Sequence, residues 1–145
     1  MVEEYSKFEQ ECVRIRQENA ELMELFLEDL QGLTPKTIER HCLNVNFYIN
    51  DFLLHMEAND FTCGISMINE FLGDYFIRKC MWSTPATIKS TTASIKKFYK
   101  SMLKHGKIQK AEYDSLCETI KEFVEVWQEE CEQYNSGVDD SWMIL

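Results

Sequence analysis

At 145 residues, 45% of them hydrophobic and 28% charged, the chain is sized for one domain that buries roughly two-thirds of its unfolded surface without disulfides or metal. A formal net charge of −10 excludes a protein coated in cations, although the basic residues are unevenly spread. No stretch approaches the run of about eighteen apolar residues needed to span a membrane, and the acidic start MVEEYSKFEQE lacks the apolar run of a secretory leader, so a cytoplasmic protein with no membrane partner is expected.

From Glu3 to Leu30, the residues Phe8, Cys12, Ile15, Asn19, Leu22 and Phe26 follow one another at intervals of 4, 3, 4, 3 and 4. This is the a/d spacing of a heptad seam and predicts a long amphipathic helix. An Asn at a seam position can fix the register of a coiled-coil pair, but three heptads are few, and packing within the same domain is the expected use. Gly32 ends the element.

Thr34, Pro35, Lys36, Thr37 and Ile38 open a second helix, with Thr as cap and Pro at the first helical position. Ile38, Cys42, Val45, Ile49, Phe52 and Met56 are predicted to line its core face. His41 and His55 are expected as edge or surface residues, since no acid or cysteine stands where it would complete a metal site. Loop residues fill Ala58 to Gly64. Ile65, Ile68, Phe71, Leu72, Tyr75 and Phe76 then predict a short, strongly apolar third helix.

The next stretch reverses the sign of the chain. Between Ile77 and Lys110 there is no Asp or Glu, while Arg78, Lys79, Lys89, Lys96, Lys97, Lys100, Lys104, Lys107 and Lys110 supply nine of the fifteen basic residues, leaving six basic against twenty-five acidic elsewhere. Thr84 and Pro85 repeat the capped start of the second helix, and Gly106 marks the stop. At about 100° per residue, Ile88, Ile95, Phe98, Tyr99 and Met102 fall on one side and Lys89, Lys96, Lys100 and Lys104 on the other, with Lys97 beside them. Lysines on a helix face are often only solubilising. Here the glutamates that normally interleave with them are missing, which favours a docking surface for a polyanion.

The pattern Thr34-Pro35-x-Thr37-Ile38 recurs as Thr84-Pro85-x-Thr87-Ile88. Two copies do not make a solenoid, and two similarly capped helices are the simpler account. Thr37 and Thr87 occupy first turns, where a hydroxyl can meet a backbone group or a phosphate.

A last helix is predicted from Gln109 to Tyr134. Tyr113, Leu116, Ile120, Phe123, Trp127 and Cys131 form its stripe, and Glu112, Asp114, Glu118, Glu122, Glu125, Glu129, Glu130 and Glu132 its acidic face. The tail from Asn135 ends in Trp142, Met143, Ile144 and Leu145, which is expected to fold back onto the bundle rather than serve as a docking peptide. Taken together the elements predict an all-α fold, a compact bundle of four or five helices.

Chemistry is sparse. The six cysteines Cys12, Cys42, Cys63, Cys80, Cys117 and Cys131 form no CxxC or paired spacing, so reduced core thiols are expected, with no metal or other cofactor. No phosphate loop, HExxH or GxSxG is present, and the carboxylates lie on predicted solvent faces, so neither an enzyme nor a small-molecule substrate is expected.

Two segments carry a resemblance. Leu33 to Tyr48, with TPKTIERHCLNVNFY, and Ser83 to Ile108, STPATIKSTTASIKKFYKSMLKHGKI, resemble the helical N-terminal core-binding (SAM-like) domain of phage integrases and other tyrosine recombinases. The likeness covers roughly Gly32 to Leu116: an early capped T-x-x-T-I helix, then a later helix running through small residues to an aromatic end and a short x-G-x-I exit. It implies a helical domain that grips one side of duplex DNA by its backbone, while a separate catalytic domain closes the other. Carried onto this chain, Thr87, Lys89, Lys96, Lys97 and Lys100 would face DNA, helped by Thr34, Lys36, Thr37 and Arg40; the charge map adds Lys104.

The same resemblance divides the chain into an N-terminal helix (1–31), an integrase-like core (32–116) and an acidic C-terminal helix and tail (117–145), one domain in all. The departures are clear. The family's catalytic arginines, histidine and tyrosine lie in a further domain beyond the segments matched here, whether this is a stand-alone module or a fragment, and both flanking helices fall outside the family pattern. The expected function is a non-catalytic DNA-binding module for DNA recombination or integration, with duplex DNA as partner and a homodimer or a recombinase as a further one. The alternative is a protein-interaction or dimerisation module that uses its heptad-like helices without binding DNA.

Overall fold

Two Thr-Pro starts and two glycine turns set several of the helix boundaries. In the computed structural model, which describes the backbone of residues 2–144 and the side chains of residues 2–137, α1 spans Val2–Asp29. The chain turns at Gly32, whose φ of 103° suits a residue without Cβ. Helix α2 runs as an α-helix over Pro35–Asn46 and continues as a π-helix over Phe47–Phe52. Helix α3 starts at Ile68–Glu70, passes through a π turn at Phe71–Tyr75 and ends with Phe76–Lys79. Helix α4 is Pro85–Lys104, and α5 is Lys110–Ile144. The fold is all-α, five helices in one bundle.

The two Thr-Pro starts cap as the sequence predicts. Thr34 Oγ1 accepts from the Thr37 amide at 3.3 Å, and Thr84 Oγ1 accepts from the Thr87 amide at 3.1 Å. At α4 the cap is reciprocal, because the Thr84 amide also donates to Thr87 Oγ1 at 2.8 Å. At the far end of α4, Gly106 takes a φ of 73° and lets the chain leave the helix.

The seam of α1 faces inward. Cys12, Ile15, Asn19, Leu22 and Phe26 are buried and Phe8 is half-buried. It packs on the protein's own core, as expected. Asn19 Nδ2 donates to the Ile49 carbonyl at 3.2 Å and to Asn50 Oδ1 at 2.8 Å, tying α1 to the π segment of α2.

Two expectations for α2 are corrected. The core face holds as far as Phe52, which is half-buried against Phe71 and Tyr75, but does not reach Met56, which is 79% exposed while Leu53 and Leu54 are buried. The helix is the reason: its π segment closes at Phe52, with the Leu53 amide donating to the Tyr48 carbonyl five residues back, and Met56 lies beyond it in a bend. His41 is not an edge residue either. It is buried at 8% exposure against α4, through a hydrogen bond described below. His55 is exposed, its ring 5.3 Å from that of Tyr75.

The third helix starts later than predicted, at Ile68, since Cys63–Ile65 forms a separate 3-10 turn. Asp60 caps that turn, accepting from the amides of Thr62 and Cys63. Gly64 sits where a Cβ would come within 2.3 Å of the Tyr99 hydroxyl. Around it, Tyr48, Phe71, Phe98 and Tyr99 fill the centre of the bundle with no exposed surface.

Helix α5 closes the core. Leu116, Ile120, Trp127 and Cys131 are buried on α3 and α4, and they share one apolar cluster with Phe26 of α1. Trp127 Nε1 donates to Asn69 Oδ1 at 2.7 Å, with Gly73 leaving room for the indole. The helix does not stop at Tyr134: Asn135 lies within it and donates from Nδ2 to the Ser83 carbonyl at 3.0 Å. The expected fold-back of Trp142 to Leu145 lies outside the described residues. Among the described residues, no helix is long and apolar enough to cross a membrane.

Candidate nucleic-acid interface

The inward face of α4 fixes its outward one. Ile88, Ile95, Phe98, Tyr99 and Met102 are fully buried, so at 3.6 residues per turn the opposite side must look outward. Lys89, Lys96, Lys97, Lys100 and Lys104 are all exposed there. The decisive question is whether carboxylates already neutralise them. Among the described residues, no ion pair joins any lysine of α4 to the acidic helix α5. Lys110 pairs with Asp114 inside α5, and Arg78 with Asp74 inside α3. Lys89, Lys96, Lys97 and Lys100 have no carboxylate within ion-pair distance among the described residues.

Lys104 differs. Its Nζ donates to Asp29 Oδ1 at 2.8 Å, while His105 Nε2 meets Asp29 Oδ2 at 2.9 Å and the Ser101 hydroxyl donates to that same oxygen. The Lys104 ammonium, then the Ser101 hydroxyl and the His105 ring, hold the Asp29 carboxyl down to about 2. Lys104 therefore belongs to a joint between the C-terminal ends of α1 and α4. A groove of about 420 Å³ runs beside that joint, and Lys97 and Lys100 line it together with Asp29 and Ser101.

The earlier helix meets this face through His41. His41 Nδ1 lies 2.7 Å from Ser94 Oγ, and Asn44 Nδ2 donates to the same oxygen at 3.0 Å. These contacts lay α2 along α4 and bring Lys97 close enough for its charge to act on His41, together with that of Arg40, its neighbour in the chain. Lys36 and Arg40, both exposed, line a shallow hollow with Glu39 and Leu43. Arg40 of α2 and Lys97 of α4 thus flank His41 where the two helices meet.

The threonines serve the backbone. Thr87 Oγ1 is engaged in the α4 cap, accepting from the Thr84 amide and donating to the Thr84 carbonyl at 3.0 Å. Thr37 Oγ1 accepts from Thr34 Oγ1 at 2.8 Å. Two residues that matter here carried little signal. A carboxylate at the C-terminal end of a helix opposes the helix dipole, which hints that Asp29 needs partners, but those partners stand 72 to 76 residues away. His41 looked peripheral on a helical wheel, and only the approach of Ser94 makes it central.

No protein-family model, curated protein or solved structure matches this chain.

Proposed function

We propose that this chain is a non-catalytic helical DNA-binding module, resembling the core-binding domain of site-specific recombinases, that holds the duplex backbone along α4. The observation that carries this reading is the open cationic ridge. Lys89, Lys96, Lys97 and Lys100 are exposed and free of carboxylate partners among the described residues, in a chain whose net charge is −10. Such lysines lose little by moving from water to phosphate, and each contact releases condensed counterions. Lysine on phosphate positions a protein without reading bases, so the binding has little sequence preference. The alternative interaction module draws on the heptad seam of α1, and that seam is spent on the protein's own core.

The test is a fluorescence-anisotropy titration of a labelled duplex at about 50 mM salt, with dissociation constants expected in the micromolar range. Changing Lys96, Lys97 and Lys100 together to Glu should weaken binding at least tenfold. An unchanged affinity in that variant contradicts the reading.

A further inference from the structure

His41 lies where α2 meets α4, with Arg40 beside it in the chain and Lys97 acting on it from α4. Ser94 Oγ accepts from Asn44 Nδ2 and donates its own proton to the Ser90 carbonyl at 3.2 Å. A hydroxyl has one proton and two lone pairs, so its remaining capacity is to accept. In the protonated ring His41 Nδ1, 2.7 Å away, donates into that capacity. The second N–H of the imidazolium is then left on Nε2.

That nitrogen has no hydrogen-bond partner among the described residues. The only buried side-chain nitrogen or oxygen without a partner among them is Asn19 Oδ1, so His41 Nε2 reaches the surface although the ring as a whole is buried. The charged groups bearing on the ring are Arg40 on its own helix and Lys97 on α4, both positive, with Ser94 and Asn44 as neutral neighbours. Burial first, then Arg40 and Lys97, push its proton affinity below that of an ordinary histidine.

The geometry points to a phosphate subsite formed by Arg40, His41 and Lys97, in which a bound backbone phosphate draws one proton from solvent onto the His41 ring. This rests on the DNA-binding reading above. A protonated ring donates from Nε2 a charge-assisted hydrogen bond between two further cations, stronger than any bond a neutral ring offers a phosphate oxygen. Phosphate also offsets the repulsion from Arg40 and Lys97 that keeps the free ring neutral. Binding and protonation therefore strengthen one another by the same factor.

The pH dependence of duplex binding at fixed ionic strength tests this. For one proton taken up, the association constant gains up to about tenfold per pH unit between the free and bound titrations. The unmutated protein is expected to bind about tenfold more tightly at pH 5.5 than at pH 7.5, with His41→Gln changing less than about twofold and His55→Gln keeping the full dependence. In the unmutated protein, the NMR titration of the His41 ring should move to higher pH when duplex is added. If His41→Gln retains the unmutated slope, or the His41 titration does not move, the subsite is wrong while the lysine ridge stands. Absence of binding at every pH removes both.

Discussion

Asp29 and Lys104 stand 75 residues apart in the chain and meet at 2.8 Å, where the last turn of α1 crosses that of α4. Two helix C-termini brought together place partial negative charge on partial negative charge. A carboxylate there would add to the repulsion, yet its three donors Lys104, Ser101 and His105 turn it into the fastener. The side chain of Asp29 is only 18% exposed.

Acid should loosen this joint. The Asp29 carboxyl titrates at about 2 in the folded protein, below its unfolded value, so the stabilisation is complete above about pH 4 and is lost as pH falls toward 2. Its size is about 2 kcal/mol. Urea unfolding of Asp29→Asn should show a loss of about that amount at pH 7 and a flatter acid limb. Equal loss at pH 7 and pH 2.5 would show that the joint does not depend on the charge.

Gly64 should not tolerate a side chain. A Cβ there would meet the Tyr99 hydroxyl at 2.3 Å and Leu53 at 3.0 Å. Tyr99 cannot swing away, because it is fully buried and its hydroxyl donates to the Phe61 carbonyl at 2.6 Å. Gly64→Ala is expected to cost about 2 kcal/mol through overpacking. Thermal unfolding measures it, and an unchanged midpoint would contradict the packing described.

The acidic helix α5 should prove inseparable from the core. Trp127 is fully buried and bonded to Asn69, so Trp127→Ala should cost about 4 kcal/mol, while Trp82→Ala, at a residue 63% exposed, should change little. Denaturant titration followed by far-UV circular dichroism compares the two. Similar small losses would mean that α5 does not close the bundle.

Helical periodicity made much of the bundle legible, and its failures are informative. The stripes of α1 and α4 fall inside as predicted from spacing, because both are regular α-helices whose apolar positions recur near 3.6. The stripe of α2 holds to Phe52 and fails at Met56, since the helix closes in a π turn at Phe52 and nothing in the local composition announces that end. The lysines of α4 were visible as a run without acids, and their exposure follows from the apolar face opposite. Which of them stay free did not follow: Lys104 is claimed by a carboxylate from another helix, a long-range pairing that no window of sequence contains. His41 was misplaced for the same reason, as its partner Ser94 is 53 residues distant.

The central claim is that the free cations of α4, with Arg40 beside them, neutralise phosphates. The salt dependence of duplex binding counts those contacts directly, because the logarithm of the association constant falls with the logarithm of salt concentration at about 0.9 per phosphate neutralised. With four free lysines and Arg40 engaged, a slope of about −4.5 is expected between 50 and 200 mM salt, falling to about −2 or less steep when Lys96, Lys97 and Lys100 are changed to Glu. A slope near zero, or a slope unaffected by those three substitutions, would contradict the account.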